Sequence, residues 1–246
     1  MPDSNASRPT GRFIPTRWTF VLAAARQGDT HVGRAALAEL CETYWYPLYA
    51  YVRRCGHDRH DAEDLTQEFF ARLLEKNTLA SVSPEKGRFR SFLLASIKHF
   101  LANEWDRSQA QKRGGGKIIV SLDGASGESR HPIEPSGGLT PDRIFERQWV
   151  LTLLDRVLDQ LAEEYHDKPV HFAALKDFLT ANSTPGAAAT AAKTLGLSEG
   201  AVRVAVHRLR QRYRHLLRAE IAQTVEEPSE VDAEIRRLFS VFSETP

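Results

Sequence analysis

Arg203, His207, Arg210 and Arg214 recur at steps of four, three and four residues, which on a helix lines four potential donors along one edge. Such a row suits phosphate oxygens and the rims of bases, because a guanidinium donates in a planar fork. Between Gly196 and Glu220 six arginines meet only two acids, Glu199 and Glu220, so this segment attracts polyanions. The competing reading is a solvated face, since arginine is also a good helix former.

A second cluster has the opposite sign. From His57 to Glu75, the acids Asp58, Asp61, Glu63, Asp64, Glu68 and Glu75 stand against Arg59 and Arg72. Asp61, Asp64 and Glu68 are the residue types of a metal site or a general acid and base pair. No partner histidine, glycine-rich phosphate loop or second carboxylate cluster stands in a plausible position, so the chain is not read as an enzyme. No catalytic residue, metal or cofactor is expected. Two other readings are a helix start that favours acids through its dipole, and an acidic surface that docks a basic protein. The second accounts for Gln67 and Phe70 beside the acids.

A third segment interleaves cations with aromatics: Arg88, Phe89, Arg90, Phe92, Lys98, His99, Phe100, Trp105 and Arg107, followed by Lys112 and Arg113. Each base of a single strand offers a face for stacking and each phosphate a charge, which is what this mixture would meet. Phe92 and Phe100 also fit a core.

Helices must position all three clusters. Helical periodicity runs over Thr16–Gln27, Arg34–Arg54, Asp58–Lys76 and Phe89–Arg113, with Pro15 and Pro84 where helices start and Gly28 and Gly56 where they stop. Pro47 interrupts the second of these. In the third, Leu65, Phe69 and Leu73 repeat every four residues and point inward. Further on, Ala188, Ala191, Ala192 and Leu195 form a small-residue stripe, Gly196 supplies a left-handed turn, and Ser198 is an N-cap for a helix starting at Glu199. Val202, Val206, Leu209, Tyr213, Leu216 and Leu217 give that helix its apolar stripe. Two helices joined this way predict a helix-turn-helix, whose second helix enters the major groove of duplex DNA.

Nothing alternates as a sheet does, so the predicted class is all-α: two small helical domains joined by a flexible Gly/Ser/Pro linker, with a C-terminal helix-turn-helix. The boundaries are a disordered N-terminus at 1–11, a helical domain at 12–113, a linker at 114–141, a helix-turn-helix domain at 142–222 and an acidic tail at 223–246. The tail carries a short amphipathic turn of Ile235, Leu238, Phe239 and Phe242. The short apolar run Lys117–Leu122 is too brief to stand alone as a strand.

With 246 residues and 41% hydrophobic content the chain can build real cores, and 33 basic against 32 acidic residues argue against a general DNA-coating protein. The charge is segregated instead, which fits several partners met by separate faces. Cys41 and Cys55 form no CxxC pair, and no His/Cys grouping has zinc spacing. With no apolar signal core and no run of membrane-spanning length, a cytoplasmic protein without membrane contact is expected.

In this order the parts resemble a bacterial RNA polymerase sigma factor of the extracytoplasmic-function class, over roughly Arg17 to Arg218. TFVLAAARQGD and YPLYAYVRRCG are similar to the opening helices of that family. DAEDLTQEFFARLL is very close to the segment that binds the clamp helices of core polymerase, which implies polymerase binding by Asp61, Asp64, Gln67 and Glu68. GRFRSFLLASIKHFLANEWDR is similar to the segment that melts and reads the proximal promoter element. The resemblance implies strand contacts there by Arg88, Phe89, Arg90, Phe92, Lys98, His99, Asn103 and Arg107, with Phe92 in the place of the usual Trp and Phe100 in that of a usual Asn. LGLSEGAVRVAVHRLRQRYRHLL is similar to the helix-turn-helix that meets the upstream element. Ser198, Glu199, Gly200, Arg203, His207 and Arg210 would then face duplex DNA, with Arg214 continuing the row. The implied partners are core RNA polymerase and promoter DNA, both duplex and melted, restrained by an anti-sigma factor or by the tail itself. The rival reading is an autonomous helix-turn-helix regulator that binds duplex DNA without polymerase.

Overall fold

A computed structural model describes residues 31–75, 79, 82, 87–112, 138–179, 186–225 and 227–243. The expected helix Thr16–Gln27, the N-terminal segment 1–11, the run Lys117–Leu122 and all but the end of the expected linker lie outside the described residues.

The described chain is all helical. Its order is α1 (His31–Arg54), α2 (Arg59–Glu75), α3 (Phe89–Lys112), α4 (Pro141–Glu164), α5 (Pro169–Leu175) with a 3₁₀ turn Lys176–Leu179, α6 (Ala187–Leu195), α7 (Glu199–Ala222), a 3₁₀ turn Pro228–Glu230, and α8 (Val231–Ser240). No helix among the described residues is long and apolar enough to cross a membrane.

Local chemistry sets the ends. Gly56, at φ 101°, stops α1 in a conformation that L side chains rarely adopt. Asp58 then caps α2, its carboxylate accepting the Asp61 N–H at 2.9 Å. Thr140 caps α4 by accepting the Arg143 N–H at 3.4 Å, and Pro141 follows where its missing N–H costs nothing. Just before that cap, the Leu139 carbonyl accepts Arg54 Nε at 2.8 Å, so the end of α1 holds the entry to α4.

The larger core draws Tyr44 and Leu48 from α1, Phe69 and Leu73 from α2, Leu93 and Ile97 from α3, Trp149 and Leu153 from α4, Ile221 from α7 and Leu238 from α8. Helix α4, which the sequence reading assigned to the helix-turn-helix domain, thus buries most of its apolar side in a core shared with α1. Arg156 adds a polar tie, donating to the Thr43 hydroxyl at 2.7 Å. Full burial of each such leucine or phenylalanine contributes about 1.5–3 kcal/mol, so the core that α4 shares with α1 is a substantial attachment.

A smaller core gathers Leu161 at the far end of α4, Leu175 of α5, Phe178 of the 3₁₀ turn, Ala191 and Ala192 of α6, and Val202, Val206 and Leu209 of α7. Tyr213 and Leu216 of α7 pack against both clusters.

Candidate protein and nucleic-acid interfaces

Helix α2 has two unlike sides. Ala62, Thr66, Phe69, Phe70 and Leu73 are buried, while Asp61, Asp64, Gln67 and Glu68 are exposed. Phe70, expected beside the acids on a docking surface, is instead 7% exposed and packs edge-on against Phe69 at 5.8 Å. It falls four residues after buried Thr66, and that spacing turns it inward. Glu63 is also buried and accepts Arg59 Nε at 3.2 Å. Glu68 pairs with Arg72, whose guanidinium reaches Glu104 at 2.7 Å and lies over the Phe100 ring at 5.0 Å. Among the described residues, no three His, Cys, Asp or Glu side chains gather where a metal could sit.

Helix α3 buries Leu93, Ile97 and Phe100 and leaves Lys98, His99, Asn103 and Arg107 exposed. Lys98 Nζ lies 2.7 Å from Asp142 in the first turn of α4, and Arg107 lies 3.0 Å from Glu104. His99, Asn103 and Arg107 share a strip at four-residue steps, while Lys98 and Trp105, seven residues apart, share a second strip on the other flank of the helix. Trp105 is 64% exposed, the most open large hydrophobic side chain among the described residues. The sequence reading noticed it among the interleaved aromatics but did not give it a site role. Its signal was an indole outside the buried stripe of Leu93, Ile97 and Phe100.

Phe89 and Arg90, expected at the DNA-facing surface, lie inside. Phe89 is 7% exposed, edge-on to Tyr44 at 5.4 Å and stacked with half-buried Phe92 at 5.9 Å. Arg90 is 3% exposed, with its guanidinium 4.8 Å over the Trp149 ring and paired with Glu234 of α8. Burial pushes the Arg90 guanidinium pKa down while the Glu234 carboxylate pushes it up. Arg88, half-buried at the start of α3, lies 2.7 Å from the other oxygen of the same carboxylate. One acid therefore answers two arginines, Arg90 from 144 residues away along the chain.

The third site is built by α6 and α7. Gly196 caps α6 at φ 64°, and the Leu197 N–H reaches back to the Ala192 carbonyl at 3.0 Å. Ser198 then caps α7, its hydroxyl accepting the Ala201 N–H at 3.2 Å. Ala191 and Ala192 are buried against Val202 and Val206 in the smaller core, which lets the two helices cross closely. Ser198, Glu199, Gly200, Arg203, His207 and Arg214 are exposed. Arg203 is 75% exposed and 3.5 Å from Glu199. Arg203, His207, Arg210 and Arg214 line one open concavity, as their spacing requires, with Phe178 and Ala188 across it. Arg210 differs from its neighbours in being half-buried, its Nε donating to the Phe178 carbonyl at 2.8 Å. On another side of α7, Arg212 grips Glu164 through both carboxylate oxygens, with Nε at 2.7 Å from the nearer one.

No curated protein and no solved structure matches this chain. Residues 40–111, which run from within α1 through α2 and nearly all of α3, match the family model for sigma-70 region 2. The exposed acidic side of α2 and the cation-rich surface of α3 therefore both lie in a segment similar to sigma-70 region 2, which supports a sigma factor acting with RNA polymerase and DNA in transcription initiation.

Proposed function

We propose that the chain is a sigma factor of the extracytoplasmic-function class, in which three helices meet three partners. Helix α2 docks on core RNA polymerase through Asp61, Asp64, Gln67 and Glu68. Helix α7 meets the upstream promoter duplex through Arg203, His207, Arg210 and Arg214, with Ser198, Glu199 and Gly200 at the groove entrance. Helix α3 holds the melted strand of the proximal element through Lys98, His99, Asn103 and Arg107, and Trp105 offers a stacking face for an unpaired base. A base held outside the stack costs a few kcal/mol, which stacking and phosphate contacts offset.

One observation carries this reading. Within the segment that matches sigma-70 region 2, all four expected polymerase contacts fall on the exposed side of α2, while the opposite side is committed to the core. The close succession of α6 and α7 across Gly196 and Ser198, with a row of arginines on the second helix, supports the duplex contact. No chemical step is assigned to the chain. Its work is to position, by charge and shape, what another enzyme transcribes.

In vitro transcription with core RNA polymerase tests this directly. Addition of the purified chain is expected to produce discrete start sites on some templates of a genomic library. Absence of any start-site selection overturns the reading. Specific duplex binding by the free chain that polymerase leaves unchanged favours an autonomous regulator instead.

A further inference from the structure

The binding of Glu234 by Arg88 and Arg90 is unusual for a segment joined to the rest of the molecule only by a short connection. Its carboxylate is fully enclosed, with Arg88 at 2.7 Å on one oxygen, Arg90 on the other, and Arg237 Nε at 3.4 Å. A carboxylate between two guanidinium groups has the same chemistry as a phosphate in an arginine fork. Arg88 and Arg90 also open the helix proposed to hold a single strand. On the same short helix, Asp232 pairs with Arg218 near the end of α7, the helix proposed to meet duplex DNA. Two acids of α8 thus engage arginines from both helices proposed to bind nucleic acid.

The attachment of α8 is suited to release. Val231, Leu238 and Val241 are buried, but Ile235 and Phe239 are only partly covered and Phe242 is exposed. Its outer ties, Arg218 Nη2 to Asp232 at 3.2 Å and Arg237 to Glu146 at 3.3 Å, are exposed ion pairs that salt screens. Apolar residues would fasten the helix at least as well as a buried charge cluster, because desolvation offsets much of the Coulomb gain. A charge cluster differs in that it can be exchanged for another anion.

We propose that α8 is an internal acidic plug, whose Glu234 fills an anion site made by Arg88 and Arg90 that a nucleic-acid phosphate occupies when the helix leaves. This rests on the proposed role of α3 in strand binding. With α8 docked, the start of α3 is closed to DNA and the end of α7 is tied to the same helix. Displacement of α8 frees Arg88, Arg90 and Arg218 together, so strand capture and plug release are coupled.

Hydrogen exchange on the full chain, with core RNA polymerase and a mixed-sequence single-stranded oligonucleotide, separates the two ideas. Protection of α2 around Asp61–Glu68 with faster exchange in Val231–Ser240 supports both. Protection of α2 with unchanged exchange in Val231–Ser240 overturns the plug and leaves the sigma reading standing. No protection of α2 and no oligonucleotide binding overturns the sigma reading, and the plug with it. Substitution gives a second readout on the free chain. Asp232→Asn, at an exposed position, is expected to tighten oligonucleotide binding roughly fivefold or more, and Glu234→Gln to do the same where it folds. Asp167→Asn changes the charge equally at an exposed position that takes no part in the ion pairs of α8 and is expected to leave binding unchanged. Equal gains from Asp167→Asn and Asp232→Asn reduce the effect to net charge and overturn the plug.

Discussion

Arg210 Nε donates to the Phe178 carbonyl at 2.8 Å, so one member of the arginine row is also a strut between α7 and the 3₁₀ turn after α5. Arg203, two turns earlier in the row, has no such duty and reaches solvent beside Glu199. The two arginines should therefore respond differently to removal. Arg203→Ala is expected to weaken upstream duplex binding by about 1–3 kcal/mol if it reads a base, with less loss if it meets only phosphate, and to leave the melting temperature unchanged. Arg210→Ala should lower both DNA affinity and melting temperature, because the Phe178 carbonyl loses its donor. Titration calorimetry and thermal denaturation on the same samples check the split, and equal thermal loss in both variants would contradict it.

Charge reversal at Asp64 tests α2. The residue is exposed on α2 and the apolar residues of that helix face away from it. Asp64→Arg is expected to abolish co-purification with core RNA polymerase while leaving the circular dichroism spectrum and melting temperature of the free protein unchanged. Retained co-purification would remove α2 from the docking surface.

Gly196 tests the turn. A Cβ placed there meets nothing within 4 Å, so a substitution encounters only the backbone penalty of φ 64°. Gly196→Ala should cost about 1–2 kcal/mol in chemical denaturation and loosen the crossing of α6 on α7. A neutral result would mean that the turn relaxes to another conformation.

Alkaline pH tests the burial of Tyr213. Burial, with a smaller contribution from Asp155, raises its hydroxyl from the ordinary 10.0 to about 12. The folded state keeps the proton longer than the unfolded chain, so this contribution to stability is complete below pH 10 and lost as pH rises from 10 to about 12. Tyr213→Phe should flatten that part of the stability profile, measured by urea denaturation at stepped pH. An unchanged slope would indicate that the hydroxyl is hydrated.

Much of this architecture can be read locally. Ser198, Gly196 and the recurrence of Val202, Val206 and Leu209 at four- and three-residue steps define α7 because caps, turns and stripes act over a few residues. The exposed acids of α2 follow from the same period as its buried Phe69 and Leu73. What lies beyond such a reading depends on distant partners. Arg90 looks like a surface cation until Glu234 and Trp149 are brought beside it, and neither is near it in sequence. The start of α4 likewise follows a polar, glycine-rich stretch, yet Trp149, Leu153 and Val157 join α1 in one core. A composition that marks a boundary along the chain says nothing about which surfaces meet across it.

Helix α7 threads through both apolar clusters, with Val202 to Leu209 in one, Leu217 and Ile221 in the other, and Tyr213 and Leu216 touching each. It works as an axle common to two wheels: neither cluster can come apart without disturbing the rod that passes through the other. A calorimetric scan should accordingly register a single heat-absorption peak, and Leu209→Ala, truncating the rod inside the smaller cluster at a cost of about 2–5 kcal/mol, should move that whole peak to lower temperature and not split it in two. The same stiffness lets a load applied at Arg203 be felt at the far end of α7, where Arg218 holds Asp232.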